Sequence, residues 1–145
     1  MWISKQNENG QWTTGDQSAT SLGTQETHDC IRRFCFPKSA RLLSREEFQR
    51  VFHAKNKFCG EVVHIDYRMS RRPLPRLGIT VSRRFGKAHV RNHFKRSTRE
   101  AFRQHCWQFP DGIELNVSPR HSTIIPSTKQ IVSDLLNLIE KIERA

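Results

Sequence analysis

The sequence predicts a small α+β domain that follows a polar N-terminal tail. Segments of helical and strand periodicity alternate in the order α-β-β-α-β-α without an internal repeat. A chain of 145 residues has the length of about one domain. Residues 1–29 are rich in Ser, Thr, Gln, Asn and Gly and show no apolar periodicity. We therefore expect residues 1–36 to be a disordered tail and residues 37–145 to form the domain.

A capping box predicts where the first helix begins. Ser44 and Glu47 have the S-x-x-E spacing, in which each side chain bonds to the backbone N–H of the other residue. Leu43 and Phe48 have the spacing of a hydrophobic staple across the same turn. We expect this helix to cover residues 45–54, with one apolar face.

Three segments alternate apolar and polar residues as half-buried strands do. They are residues 62–68, 77–81 and 113–118, and the third ends at Pro119. Two prolines interrupt the connection between the first two strands, so it is a turn or loop. We expect these two strands to be antiparallel to each other across this short connection.

Two further helices are predicted after the second strand. Apolar residues at helical spacing run through residues 88–107, opposite a face of Arg, Lys and Asn. Ser127 and Gln130 form a second capping box, which opens a last helix with a broad apolar face.

The composition excludes some classes of protein. No apolar run approaches the roughly 20 residues of a membrane-spanning helix, and the N-terminal residues lack the apolar segment of a secretory signal. The four cysteines have no CxxC spacing, so we expect free thiols and a cytoplasmic location.

The positive charge is concentrated in one segment. Residues 68–103 carry twelve Arg and Lys and a single acid, Glu100, which accounts for the whole net charge of +11. Like charges at i, i+4 along a helix repel one another, so an external polyanion is needed to relieve them. Nucleic acid is the expected partner.

Two motifs resemble the protein subunit of bacterial ribonuclease P. Residues 78–103, GITVSRRFGKAHVRNHFKRSTREAFR, are similar to that family's strand leading into a helix with an R-N-R-x-K-R core. Residues 44–52 resemble its first helix, at the expected distance. The sequence departs from the pattern at His93, where the family has Arg. An imidazole does not clamp a phosphate bidentately as a guanidinium does.

The resemblance implies the fold in more detail. It implies a two-layer sandwich of a four-stranded sheet and helices, in the order α-β-β-β-α-β-α. The added strand is expected near residues 58–60. The resemblance also implies a left-handed crossover from the second predicted strand, through the basic helix, to the third. The general handedness rule predicts the opposite hand.

The resemblance also implies two binding sites. The basic loop and helix would contact the catalytic RNA through Arg83, Arg84, Lys87, Arg91, Asn92, His93, Lys95, Arg96, Arg99 and Arg103. An aromatic cleft would hold the single-stranded 5′ leader of precursor tRNA through Phe48, Phe52 and Tyr67. The residues alone leave Phe48 and Phe52 open to a second interpretation, as core residues of the first helix.

Nothing in the sequence suggests a protein active site. Hydrolysis of a phosphodiester needs clustered carboxylates or paired histidines, and the basic segment has one acid. The resemblance implies that the RNA subunit performs the chemistry with magnesium, that the protein itself binds no cofactor, and that no lasting protein partner is needed.

Two other functions fit the charge pattern. A structural RNA-binding protein, such as a ribosomal one, would carry a similar basic helix. A DNA-binding regulator would also use such a helix, but no second helix precedes it at helix-turn-helix spacing.

Overall fold

The computed structural model describes residues 36–120 and 125–144, which form a four-stranded sheet and three α-helices. The helices are α1 (Arg45–His53), α2 (Ala88–His105) and α3 (Thr128–Glu143). The strands are β1 (Asn56–Cys59), β2 (Val63–Met69), β3 (Arg76–Ile79) and β4 (Ile113–Pro119). Short 3-10 helices lie at Lys38–Ala40, Arg83–Phe85 and Cys106–Gln108. The tail expected at residues 1–36 lies outside the described residues, apart from Phe36.

The element order α-β-β-β-α-β-α, the fourth strand and the antiparallel orientation of β2 and β3 are confirmed, but β2 and β3 are not neighbours in the sheet. The order across the sheet is β1-β2-β4-β3, with β2 antiparallel to β1 and β4, and β3 parallel to β4. The second and third strands therefore run in opposite directions without being neighbours, because β4 lies between them. Residues 113–117 are all buried, as in a central strand covered on both faces.

The capping boxes place the starts of α1 and α3 as predicted. The Ser44 hydroxyl accepts a hydrogen bond from the Glu47 N–H, and the Glu47 carboxylate accepts one from the Ser44 N–H, both at 3.2 Å. Ser127 and Gln130 make the same reciprocal pair. The basic helix ends at His105, two residues earlier than predicted, because the chain tightens into a 3-10 turn that buries Cys106.

The main core lies between one face of the sheet and the helices α2 and α3. Ile65 and Leu115 of the sheet meet Phe94 and Phe102 of α2 and Leu135 of α3, and each is at most 1% exposed. Within the described residues, no helix is long and apolar enough to cross a membrane.

Helix α1 lies on the opposite face of the sheet, and Gly78 lets it approach closely. A Cβ atom at Gly78 would come within 2.8 Å of Phe48 Cζ and 2.9 Å of Leu42 Cδ1. The ring of Phe48 therefore occupies the space above this glycine. The same layer covers Glu114 and Asn116, which are 5% and 7% exposed, so β4 is buried on both faces.

A buried carboxylate joins α3 to the turn between β1 and β2. Asp134 is 2% exposed and accepts hydrogen bonds from the N–H groups of Glu61, Val62 and Val63 at 2.9, 2.9 and 3.1 Å. A side chain at Gly60 would overlap this carboxylate, so the turn requires glycine there.

A buried guanidinium joins α1 to the sheet. Arg76 is 4% exposed and forms ion pairs with Glu47 of α1 at 2.6 Å and with Glu114 of β4 at 3.2 Å. It also donates to the Arg41 carbonyl at 2.8 Å. Arg76 therefore belongs to the interior, although it contributes to the basic segment of the sequence.

The charge of Glu47 is expected to make stability depend on pH. Burial opposes ionisation of Glu47, but hydrogen bonds from the Leu43 N–H, from Arg76 and from the Ser44 N–H outweigh it and lower its pKa from 4.5 to about 2. A lowered pKa stabilises the fold above pH 4.5, and this contribution disappears as the pH falls towards 2. Glu47→Gln keeps an oxygen for the capping box and removes the charge.

We expect Glu47→Gln to lower the free energy of unfolding by roughly 3 kcal/mol at pH 7, and by progressively less below pH 4.5. Urea titrations of the parent and the variant at several pH values measure this difference. A difference that stays constant from pH 7 to pH 3 would contradict the assignment.

Candidate nucleic-acid interface

Helix α2 separates its residues into a buried face and a basic face. Its buried residues are Phe94, Ser97, Thr98, Ala101 and Phe102. We define the basic face as Asn92, Lys95, Arg96 and Arg99, which lie on the other side of the helix at i, i+3 and i+4 spacings. Asn92, Arg96 and Arg99 are exposed and Lys95 is half-buried. The predicted basic helix therefore presents a continuous positive surface.

His93 lies on the flank of this surface. It is exposed, and its spacing places it next to Arg96 and, two turns along, Glu100, on the side away from Lys95. The departure from the family's Arg therefore occurs at the edge of the basic face.

The loop before α2 adds three exposed cations at the start of the helix. Arg83 and Arg84 lie on a 3-10 turn that is anchored by buried Phe85, whose ring meets Phe94 edge to face at 5.4 Å. Lys87 occupies the N-cap position, and the first turn of α2 has no acidic residue. The positive end of the helix dipole adds to these charges, so this end attracts anions.

Two predicted RNA contacts are partly engaged within the protein. Arg91 is half-buried and donates to the Gly86 carbonyl at 3.1 Å. Arg103 forms an ion pair with Glu100 at 2.7 Å, and this hydrogen bond lowers the pKa of Glu100. The remaining cations of the loop and the basic face have no acidic partner among the described residues.

A groove lies between α1 and the sheet, and we call it the aromatic groove. It is lined by Arg45, Phe48, Gln49, Phe52, Asp66, Thr80, Asn116 and Ser118. A second depression lies on the other side of Phe48 and includes Gly78, Lys95 and Arg99. Phe48 is therefore a common wall between the aromatic groove and a depression that reaches the basic face.

The two phenylalanines of α1 have different surroundings. Phe52 is 57% exposed and Lys57 Nζ lies 4.9 Å from its ring centre, so the core interpretation of Phe52 is wrong. Phe48 is half-buried above Gly78 and combines packing with lining the groove. Val51, which is fully buried, supplies the core contact of α1.

Tyr67 does not join Phe48 and Phe52. It pairs with Leu115 across the β2–β4 ladder and packs against the main core, on the opposite face of the sheet. Because side chains alternate between faces along a strand, the neighbouring Asp66 faces the groove instead. The prediction of Tyr67 in the cleft is therefore wrong, and the residue of β2 that lines the groove is the preceding one, Asp66.

Sequence reasoning missed the polar floor of the groove. Asp66 and Asn116 are cross-strand partners, and Thr80 Oγ1 donates to Asn116 Oδ1 at 2.8 Å. The period-2 pattern of β2 was a usable signal, since Val63 and Ile65 mark the core face and leave Asp66 on the other. Among the described residues, no three His, Cys, Asp or Glu side chains form a cluster suited to a metal ion.

A basic helix and an aromatic groove on a four-stranded sheet define a small α+β RNA-binding protein. The Ribonuclease P family model matches residues 36–143. The ribonuclease P protein component of Chlamydia trachomatis serovar D is 41% identical over 112 residues, which cover 75% of this chain and 90% of that protein. The component of Chlamydia muridarum is 38% identical over 115 residues, which cover 75% and 91%.

Solved structures agree with this match. The ribonuclease P protein of Thermotoga maritima, in complex with 1-(4-fluorophenyl)-2-thiourea, has a TM-score of 0.64 and 33% identity, covering 70% of this chain and 98% of that one. The Staphylococcus aureus ribonuclease P protein has a TM-score of 0.63 and 25% identity, covering 72% and 96%. The chain belongs to the ribonuclease P protein family, and its partner is ribonuclease P RNA.

The basic face is expected to set the salt dependence of RNA binding. Replacing Arg96 and Arg99 together with Ala should reduce the slope of log K against log salt by about 0.7–0.9 for each phosphate that is no longer neutralised. Both side chains are exposed, so the fold should be retained. Binding of a ribonuclease P RNA, measured over a salt series, gives the slope.

Arg144→Ala is the control, since it removes one positive charge, half of the change in the double variant, from an exposed position at the end of α3. An unchanged slope in the double variant would show that α2 does not contact the RNA. A slope that is reduced equally per charge in the control would show the same.

Proposed function

We propose that the chain binds ribonuclease P RNA through the basic face and the loop before it, and holds the 5′ leader of precursor tRNA in the aromatic groove. In this arrangement the protein assists removal of the leader and formation of the mature tRNA 5′ end. The observation that carries the proposal is the shared wall at Phe48, which separates the groove from a depression that reaches the basic face.

The groove has the features of a site for unstacked bases. Phe52 presents an exposed ring, Phe48 forms the inner wall, and Lys57 and Arg45 lie close by for phosphates. Stacking of a base on an aromatic ring contributes about 1–3 kcal/mol with little sequence preference. Such a site suits the single-stranded leader of an RNA rather than its double-helical parts.

We assign the hydrolysis itself to the RNA subunit, which holds the magnesium ions. The cations of the basic face lower the electrostatic repulsion between the catalytic RNA and its substrate, which allows both to approach at lower magnesium concentration. The protein's own contribution is to bind and position RNA. We place this activity in the cytoplasm.

Reconstitution tests the proposed function directly. Cleavage of a precursor tRNA by the cognate ribonuclease P RNA is measured at low magnesium with and without the protein, with the protein alone as a control. We expect cleavage at the mature 5′ end to require both components. A protein that binds the RNA but never restores cleavage would instead act as a structural RNA-binding protein.

Removal of one exposed ring tests the leader groove. Phe52→Ala in the reconstituted holoenzyme should weaken binding of a precursor tRNA by roughly tenfold or more, because a leader base can no longer stack on this ring. Affinity for mature tRNA should not change, since it has no leader. Phe52 is 57% exposed, so the variant should keep its stability.

Trp107→Ala is a matched control, because Trp107 is 61% exposed and does not line the groove. Equally weakened binding of precursor and mature tRNA in the Phe52 variant would argue against a leader site.

A further inference from the structure

One acidic side chain lies in the floor of the aromatic groove. Of the residues that line the groove, Asp66 alone carries a negative charge, and Arg45 alone a positive one. Lys57 is the cross-strand partner of Asp66 on β1. No ion pair forms at Asp66 among the described residues, and Lys57 Nζ lies over the ring of Phe52 instead. A carboxylate repels phosphate, so Asp66 does not contribute to binding of the RNA backbone.

An oriented amide group lies next to Asp66 in the floor of the groove. Thr80 Oγ1 donates to Asn116 Oδ1 at 2.8 Å, which fixes the orientation of the Asn116 amide. Asn116 Nδ2 then donates to Asp66 Oδ2 at 3.4 Å, a long hydrogen bond. Within the described part of the chain, Asp66 Oδ1 receives no hydrogen bond. Because Asp66 lines the groove, its carboxylate has acceptor capacity that a ligand bound there could use.

The groove is large enough for a base and has apolar sides. Its volume is ≈ 340 Å³, at the lower end of the range of about 300–1,000 Å³ found for small-molecule sites. Asp66 repels the phosphates of a bound strand, whereas Arg45 and Lys57 attract them. These charges favour a nucleotide orientation with the base towards Asp66 and the phosphates towards the two cations.

Among the four bases, guanine donates the largest number of adjacent hydrogen bonds to a carboxylate. Its N1–H and N2–H groups lie side by side and match the two oxygens of a carboxylate. Adenine and cytosine each offer one exocyclic amino group beside an acceptor nitrogen, and uracil offers one N–H between two carbonyls. Charge-assisted bonds to a carboxylate are also stronger than neutral ones.

We propose that Asp66 makes the aromatic groove selective for guanine at one position of the bound single strand. This inference rests on the proposed function, because the strand is taken to be the leader of precursor tRNA. It adds a base preference to a site whose aromatic rings alone bind bases with little discrimination.

A pool of precursor tRNAs with randomised leaders tests the proposal. The reconstituted holoenzyme cleaves the pool in competition, and sequencing gives the relative kcat/KM for each base at each leader position. We expect the parent to favour guanine over uracil at one position by roughly 5- to 10-fold. Asp66→Asn, which retains the size of the side chain, should reduce this preference to less than about twofold. Binding of ribonuclease P RNA in the absence of precursor tRNA should be unchanged.

Asp111→Asn is the matched control, since it removes the same charge from an exposed turn outside the groove and should leave the profile as in the parent. A leader profile that is the same in parent and Asp66→Asn, or an Asp66-dependent preference for another base, overturns the inference and leaves the proposed function intact. A holoenzyme that cleaves no precursor overturns both.

Discussion

The buried guanidinium of Arg76 holds together the parts of the molecule that form the groove. It connects Glu47 of α1, Glu114 of β4 and the Arg41 carbonyl of the preceding segment. A charge removed from water must be matched by partners, and each carboxylate here satisfies part of that requirement. Because one of them comes from α1 and the other from the central strand, the network fixes α1 on the sheet. Phe48 and Phe52 are positioned on the same helix.

This arrangement divides the positive charge between two roles. Arg76 is neutralised inside the protein, and Arg103 is paired with Glu100. The cations at Arg96 and Arg99 are exposed and have no acidic partner among the described residues. The repulsion along α2 is tolerated because the helix is held by its buried face, with Phe94 and Phe102 in the core. In the proposed complex, the RNA partner supplies the missing negative charge.

Local signals in the sequence predicted the helices well. The capping boxes at Ser44 and Ser127 depend on residues three apart, so α1 and α3 begin where the sequence indicates. Strand pairing depends on distant residues, and the sequence contains no local sign that β4 inserts between β2 and β3. The error at Tyr67 and the omission of Asp66 have a different cause, because the alternation along β2 already placed Tyr67 with Val63 and Ile65 on the core face and Asp66 on the other face. The fourth strand and its place in the order came from the family resemblance.

The central position of β4 also determines when the molecule can fold. During synthesis, β1, β2 and β3 emerge from the ribosome before β4, which joins β3 to the β1–β2 hairpin, and the whole of α2 is made in between. A nascent chain that stops before Ile113 holds a two-stranded hairpin and an isolated third strand, which is too little to be stable. Pairing of β3 with β4 closes a long loop that contains the whole of α2. Because closing a long loop costs entropy before the contacts form, we expect slow folding, as in other domains of high contact order. The basic residues of the segment 68–103 are therefore synthesised before β4, which completes the sheet on which α2 packs.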